Sequence, residues 1–286
     1  MNPIAWIGDP SGGPLTGQWG EPGALGLPLN DRGLSLADGL FETVLVEDRE
    51  PLLLAEHLER WRQSAEWLAL PPPPGADQVR ALLAEALRRR GHADGALRLN
   101  GSRGAADGRG IELPSTAAES ARPAETASRF WLQFNPGVAQ FTPVPVLISR
   151  LERRNASSLV SRCKTFAYGQ AIQARREARA AGAGDALLLS TAGGLSCGTT
   201  ANVLIQRNGN WWTPPLASGC LAGVMRGRAL ALGLAAEMDL RTDDLVNADA
   251  ALLINSLGCR PITAVDGVPL NGPGATEAEA FWRRLL

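Results

Sequence analysis

Lysine is almost absent from this chain of 286 residues, because Lys164 is the one lysine among 28 basic residues and the others are arginines. Tyrosine occurs once, at Tyr168, and histidine twice. A bias toward arginine replaces lysine wherever a long positive side chain suffices, but arginine stays protonated and cannot act as a free amine. A lysine amine can attack a carbonyl and form an imine. Lys164 is therefore the first candidate for chemistry, and the alternative is a leftover surface lysine.

Long hydrophobic runs, paired cysteines and an excess of charge are also missing. Apolar runs such as 250–254 fall far short of the roughly 20 residues that a membrane helix needs, and no basic segment followed by an apolar one opens the chain. We therefore expect a cytoplasmic protein with no membrane partner. The four cysteines form no Cys-x-x-Cys pair, which predicts reduced thiols and no metal site. The net charge of −1 predicts no nucleic-acid partner.

The length predicts two domains at roughly 150 residues each. Patterns of mixed strands and helices predict an α/β (α+β) fold, with a smaller N-terminal domain over 1–136 and a larger C-terminal domain over 137–286. The predicted strands cover 4–7, 39–46, 96–100, 130–134, 144–148, 185–190 and 249–254, with a hairpin over 202–213 that turns at Asn208-Gly209. The predicted helices cover 51–70, 79–90, 168–181 and 223–237.

An imine-forming lysine suggests pyridoxal phosphate (PLP), so the chain should also supply contacts for a phosphate. Arg60 lies on the predicted helix 51–70, on the flank opposite the leucine stripe, although most arginines in such places are solvated. Gly223 precedes a predicted helix whose first N–H groups, those of Val224 and Met225, can bind a phosphate. Ser256 follows a buried strand and can add a hydroxyl, or it is a turn residue.

Several segments, in this order, resemble the class IV aminotransferases and their lyase relatives. They are NDRGLSLADGLFET (30–43), HLER (57–60), SRCKTFAY (161–168), GLSCGTTAN (194–202), TP (213–214) and GVMR (223–226). The resemblance implies a two-domain fold with PLP held between the domains, and a homodimer whose partner chain lines part of each site.

The same resemblance implies roles for individual residues. Lys164 would bind the cofactor as an imine and shuttle the proton. Arg60, the N–H groups of Val224 and Met225, and Ser256 would hold the phosphate. Tyr168 would lie near the phenolic oxygen of the ring, with Thr199 and Thr200 beside the cofactor.

Position 197 departs from the family pattern. Most relatives carry a glutamate five residues before the asparagine, where it pairs with the pyridine nitrogen of PLP, but Cys197 stands in that place before Asn202. A carboxylate keeps the ring nitrogen protonated and makes the ring a strong electron sink, whereas a neutral thiol holds that proton less firmly. The substitution favours a lyase. The alternative is that Cys197 is a small buried residue.

The stretch NGSRGAADGRG (100–110) resembles the glycine-rich loop of 4-amino-4-deoxychorismate lyases more than the same region of branched-chain aminotransferases. D-Amino-acid aminotransferases share the Arg-Gly start, but the Arg-x-His that usually follows there is missing. Arg103 and Arg109 suit a substrate with carboxylates, which guanidinium groups bind bidentately; the alternative is a solvated basic loop.

The sequence therefore predicts a PLP-dependent lyase that converts 4-amino-4-deoxychorismate into 4-aminobenzoate and pyruvate for folate biosynthesis. Two alternatives stay open. One is a class IV aminotransferase that acts on D- or branched-chain amino acids with 2-oxoglutarate. The other is a non-catalytic dimer that binds PLP.

Overall fold

The computed structural model describes residues 2–105, 111–112 and 128–286. The chain divides into two compact units. The first contains Met1–Val138 together with Lys164–Ala167, and the second contains Ala139–Cys163 and Tyr168–Leu286. The single domain boundary at 136/137 stays a prediction. Among the described helices, none has the length and apolarity that crossing a bilayer requires.

An antiparallel sheet forms the centre of the first unit, with strand order β2-β1-β6-β5-β3-β4. Its strands are β1 (Ile4–Gly8), β2 (Gln18–Gly20), β3 (Gly39–Glu47), β4 (Glu50–Pro51), β5 (Gly95–Ser102) and β6 (Arg129–Pro136). The strand β3 is buried on both faces, so any charge on it must be paired inside the unit.

Helices α1 (Arg32–Leu36), α2 (Leu54–Leu68) and α3 (Ala76–Arg90) complete the first unit. The apolar stripe of α2, formed by Leu54, Leu58, Trp61 and Ala65, is buried, and α2 packs against β3. Four prolines follow this helix at 71–74, where the fixed φ and missing N–H of proline prevent further helix. The helix α3 ends at Arg90, and its C-cap Gly91 takes a left-handed φ of 69°.

A mixed sheet forms the centre of the second unit, in the order β12-β11-β10-β13-β14-β7-β8-β9, with β15 against β14. Its strands are β7 (Val144–Arg154), β8 (Asp185–Ser190), β9 (Leu195–Gly198), β10 (Asn202–Arg207), β11 (Asn210–Thr213), β12 (Ala236–Glu237), β13 (Ala250–Asn255), β14 (Gly258–Val265) and β15 (Val268–Pro269). The pairs β7/β8, β7/β14 and β11/β12 are parallel.

The helices of the second unit are α4 (Leu159–Arg162), α5 (Gly169–Ala180), α6 (Val224–Ala231), α7 (Thr242–Val246) and α8 (Ala275–Arg283). The helix α5 connects the parallel strands β7 and β8 and packs on both. Ala174 and Ala178, on its buried face, are fully covered, because small side chains let the helix lie close to the sheet.

The structure differs from the sequence prediction in the end of one helix and in elements that were not predicted, which include α1, α4, α7, β2, β4, β9, β12, β14 and β15. The helix expected over 223–237 ends at Ala231, because Gly233 takes a left-handed φ of 65° and residues Ala236–Glu237 pair with β11 instead. The helix α8 was not predicted. Its buried residues Ala278 and Trp282 form a stripe too short to stand out.

Candidate active site

The main chain of Lys164 is held against the start of β3 in the first unit. The N–H of Phe41 donates to the carbonyl of Lys164 at 2.9 Å, and the N–H of Phe166 donates to the carbonyl of Gly39 at 3.2 Å. Leu40 and Thr165 form an antiparallel bridge between these bonds. The segment Lys164–Ala167 thus extends the sheet by a short pairing, which fixes where the lysine side chain starts.

Gly39 is required at this pairing because the chains approach closely. A Cβ at position 39 would lie 2.2 Å from the ring of Phe166 and 2.6 Å from the carbonyl oxygen of Gly101. The same ring packs on Trp131 with centroids 5.5 Å apart, so it has little room to move. A glycine here lets Phe166, two residues after Lys164, anchor that segment.

An aromatic ring supports the amine of Lys164. Its Nζ lies 4.4 Å from the centroid of the Phe41 ring, and the guanidinium of Arg98 lies 3.6 Å from the same centroid. The face of an aromatic ring attracts cations. The half-buried side chain of Lys164 therefore lies against the face of Phe41.

A buried group that the sequence analysis missed stands next to Phe41. Glu42 is 1% exposed and meets two residues of α2. His57 Nδ1 lies 2.7 Å from Glu42 Oε2, and Arg60 donates from Nε to Oε1 at 2.8 Å and from Nη2 to Oε2 at 2.6 Å. Burial alone would raise the pKa of Glu42, but the charge of Arg60 and the bonds from both partners outweigh it and lower the pKa to about 2.

His57 is the neutral member of this triad. Burial lowers its pKa, and the bond to Glu42 opposes that shift only in part. Since Glu42 is an acceptor, the proton of the neutral ring belongs on Nδ1. Nε2 is buried and has no hydrogen-bond partner among the described residues, and Lys164 is close enough for its charge to lower the pKa of His57 further.

Arg103, predicted to bind substrate, is 6% exposed and bonded inside the first unit. It donates to both carboxylate oxygens of Asp38, to the carbonyl of Leu68 at 3.0 Å and to that of Ala69. These bonds occupy four of its five N–H groups. Its contact with substrate stays a prediction, and Arg109 lies outside the described residues.

Asp38 joins Arg103 to a second arginine. Arg32 Nε donates to Asp38 at 2.7 Å. Burial would raise the pKa of Asp38, but its bonds to Arg103 and Arg32 outweigh burial and lower the pKa. This cluster fixes the backbone at both the start of β3 and the end of β5.

Cys197 belongs to the second unit, on β9. It is 8% exposed and packs in an apolar cluster whose other buried members are Leu147, Ala174, Ala178, Ala186, Leu188 and Cys220. Burial raises the pKa of its thiol to about 11. The thiol is therefore neutral at physiological pH.

Thr199 follows β9 and is bonded through its hydroxyl. Thr199 Oγ1 donates to Asp185 Oδ1 at 2.6 Å and accepts from Arg175 Nε at 3.1 Å, while Arg175 Nη2 pairs with Asp185 at 2.7 Å. Asp185 is 2% exposed, and its bonds to Thr199 and Arg175 fix the turn after β9. Thr200, the next residue, is exposed, and its carbonyl accepts from Asn255 Nδ2 at 3.3 Å.

The start of α6 presents backbone donors. Val224 and Met225 are its first two residues, and Gly223 is the N-cap. A Cβ on Gly223 would lie 2.0 Å from Asn202 Oδ1, while Asn202 Nδ2 donates to the carbonyl of Leu221 at 2.9 Å. Gly223 has no side chain to cap the helix, so its first N–H groups and the helix dipole suit an anion.

Ser256 and Tyr168 complete the predicted set in the second unit. Ser256 is half-buried in the turn between β13 and β14. That turn is fixed by Asn255, whose Oδ1 accepts from the N–H of Leu257 at 2.8 Å. Tyr168 is the half-buried N-cap of α5.

Comparison with known proteins decides the family. The family model described as amino-transferase class IV matches residues 39–265. The chain belongs to the class IV aminotransferase family. Members of this family are PLP-dependent, so the chain is a PLP enzyme that is a lyase or an aminotransferase.

Three relatives of this class IV protein are informative. The bifunctional aminodeoxychorismate lyase / D-amino acid transaminase of Mycobacterium tuberculosis is 28% identical over 276 residues, covering 85% of this chain and 86% of that protein. The D-alanine aminotransferase of Bacillus licheniformis is 24% identical, covering 91% and 90%. The PLP-bound structure of a hypothetical aminotransferase from Mycobacterium tuberculosis superposes with a TM-score of 0.77 at 26% identity, covering 98% and 97%.

The residues present in each unit fit the chemistry of PLP. In the first unit, Lys164 supplies the amine, Arg60 a guanidinium, and His57 a buried Nε2 acceptor without a partner among the described residues. In the second unit, the start of α6 offers N–H donors at a position where any Cβ on Gly223 would collide with Asn202. An aldehyde, a phosphate dianion and a heteroaromatic ring match these groups.

Proposed function

We propose that this chain is a lyase that converts 4-amino-4-deoxychorismate into 4-aminobenzoate and pyruvate, a step of folate biosynthesis, as a cytoplasmic homodimer. The observation that carries the proposal is the buried, neutral thiol of Cys197, which stands where the family pattern that the sequence resembles has a glutamate. A weaker electron sink suffices for an elimination that creates an aromatic ring. The lyase activity named for the Mycobacterium tuberculosis relative supports the same choice.

Lys164 is the proposed catalytic residue. When bound, PLP supplies an electron sink that acidifies the carbon bearing the substrate amine. Nζ of Lys164 removes the proton from that ring carbon, and enolpyruvate leaves from the neighbouring carbon. The ring of Phe41, whose centroid lies 4.4 Å from Nζ, packs beside this amine. The leaving enol takes a proton and becomes pyruvate, so substrate atoms are divided between two products with no co-reactant.

The remaining residues bind and orient. Arg60, the N–H groups of Val224 and Met225, and the hydroxyl of Ser256 are the proposed phosphate contacts. Tyr168, Cys197, Thr199 and Thr200 are proposed to lie along the cofactor ring. Thr199 would act through its position, because its hydroxyl is bonded to Asp185 and Arg175.

The substrate's carboxylates are assigned to two arginines. Arg103 and Arg109 are the proposed contacts. Arg109 can pair with a carboxylate in a bidentate geometry, whereas Arg103 has one N–H group left to donate. The bonds of Arg103 to Asp38 and to the chain after α2 hold its guanidinium in one orientation, so it enters the reaction without reorganising.

A transaminase acting on D-amino acids is the second candidate. The relative from Mycobacterium tuberculosis carries both activities in its name, and the one from Bacillus licheniformis is a D-alanine aminotransferase. Such an enzyme requires a 2-oxo acid as amino acceptor and follows ping-pong kinetics, whereas the lyase requires no acceptor.

The test adds freshly made 4-amino-4-deoxychorismate to the PLP-loaded protein and follows 4-aminobenzoate by its fluorescence. D-Alanine with 2-oxoglutarate is run in parallel. Catalytic formation of 4-aminobenzoate supports the lyase. Pyruvate from D-alanine without any 4-aminobenzoate overturns it in favour of the transaminase. Binding of PLP without either product overturns both in favour of the non-catalytic dimer that binds PLP.

A further inference from the structure

The triad Glu42–His57–Arg60 has a geometry that a simple surface ion pair lacks. Both oxygens of Glu42 are used, one by Arg60 Nε and the other by Arg60 Nη2 and His57 Nδ1. Two parallel N–H bonds fix the plane of a guanidinium as well as its position. The carboxylate is 1% exposed and Arg60 is 11% exposed at its side chain, so water does not compete for this pairing.

The triad also fixes the state of His57. A carboxylate on Nδ1 selects the tautomer with the proton on that atom, which leaves Nε2 as an acceptor. A buried acceptor without a partner costs free energy and calls for an explanation. His57 is 1% exposed, its Nε2 has no partner among the described residues, and it is within electrostatic range of Lys164.

We propose that Glu42 is a positioning residue, which orients the guanidinium of Arg60 toward the cofactor phosphate and holds His57 as the Nδ1–H tautomer with Nε2 ready to accept a hydrogen bond. This inference rests on the proposed role of Arg60 as a phosphate contact. The charge of Glu42 offsets that of Arg60, so Arg60 acts through the direction of its N–H groups rather than as a net positive charge. Removing Glu42 would leave the charge of Arg60 but lose its orientation.

Ligand affinity separates orientation from charge and from general stability. The variant Glu42→Gln keeps the shape of the side chain but replaces one acceptor oxygen by a donor. We expect the Kd of the apo-protein for PLP to rise about tenfold, as expected when a hydrogen bond to a charged group is lost, while the Kd for pyridoxal, which lacks the phosphate, changes less than about twofold. Glu56→Gln is the matched control, because Glu56 is exposed on the same helix and its variant should leave both Kd values unchanged.

The results that overturn the proposal are distinct. An unchanged or lower Kd for PLP shows that charge, not orientation, governs Arg60. Equal losses for PLP and pyridoxal show a merely structural role. These measurements use no substrate, so failure of the lyase reaction does not affect them.

A measurement on the unmutated apo-protein covers the case in which Glu42→Gln fails to fold. With only two histidines in the chain, ¹⁵N spectra of histidine-labelled protein are simple, and His92→Gln assigns the signals. We expect His57 to be neutral at pH 7 and to carry its proton on Nδ1, and Glu42→Asp to keep that tautomer. A charged His57 at pH 7, or a proton on Nε2, overturns the proposal.

Discussion

The two units supply anion-binding groups by different means. In the first unit the candidate is a side-chain cation, Arg60, whose direction is set by the buried carboxylate of Glu42. In the second unit the candidates are the N–H groups at the start of α6, where Gly223 leaves no space for a side chain beside Asn202. Anion binding by the first unit therefore depends on the ionised pair of Arg60 and Glu42. Anion binding by the second unit depends on the backbone geometry at the start of α6.

The largest effect is expected at Lys164, because the first unit contains this reactive amine and the second unit has no lysine. Lys164→Ala should lower turnover about a thousandfold or more, because no other lysine in the chain can supply the amine. Mass spectrometry after borohydride reduction in the presence of PLP should show the adduct in the unmutated protein and none in the variant. A persisting adduct or residual turnover near the original rate would show that Lys164 is not the reacting residue.

Lowering the pH should decrease the stability of the first unit. The folded-state pKa values of His57 and Glu42 are both lowered, so the unfolded chain binds protons first as the pH falls, and the free energy of unfolding decreases. The His57 contribution is lost as the pH falls below its unfolded value of 6.5. That of Glu42, about 3 kcal/mol, is present above pH 4.5 and lost toward about 2.

Urea unfolding of the apo-protein at pH 7.5, 5.5 and 3.5 measures this loss. The variant His57→Gln should remove the part of the decrease between pH 7.5 and 5.5, and an identical decrease in both proteins would contradict the assignment. The second unit should respond to base rather than to acid, because the pKa of Cys197 is raised to about 11 from 9.0. The contribution of Cys197 to the free energy of unfolding is lost only as the pH rises above 9.

A substitution at the start of α6 should weaken phosphate binding by the N–H groups of the second unit. Gly223→Ala places a Cβ 2.0 Å from Asn202 Oδ1, and overpacking of this kind costs about 1–3 kcal/mol. We expect the Kd for PLP to rise about tenfold or more in a fluorescence titration.

A second glycine of α6 provides the control for that substitution. A Cβ on Gly227 meets nothing within 4 Å, so Gly227→Ala should leave the Kd unchanged and raise stability by about 1 kcal/mol through helix propensity. Equal effects of the two variants would show that the start of α6 is not special.

The smallest effect is expected at Cys197. Cys197→Ser keeps a small neutral group, so the lyase rate should change less than about threefold. Cys197→Glu should instead favour transamination of D-alanine over elimination, because a carboxylate makes the ring a stronger electron sink. Stopped-flow spectra of the D-alanine half-reaction measure this, and a faster lyase with no gain in transamination would argue against the role given to Cys197.

Periodicity predicted most elements of both units, since the stripes of α2, α3 and α5 and the hairpin at Asn208-Gly209 are local signals. Glu42 was not recognised, although a carboxylate within an apolar strand is itself a signal that a partner must exist. Its partners lie 15 and 18 residues away, and only the packing of α2 on β3 brings them together. The bonds of Arg103 to Leu68 and Ala69 are likewise long-range, so its loop motif alone did not reveal them.

The most direct test of the central claim is the product balance of the PLP-loaded protein with 4-amino-4-deoxychorismate and no 2-oxo acid. A lyase splits each substrate molecule into one 4-aminobenzoate and one pyruvate, so we predict equal amounts of both over many turnovers. A reaction that stops after one turnover per site, or that proceeds only after a 2-oxo acid is added, would contradict the lyase and identify a transaminase.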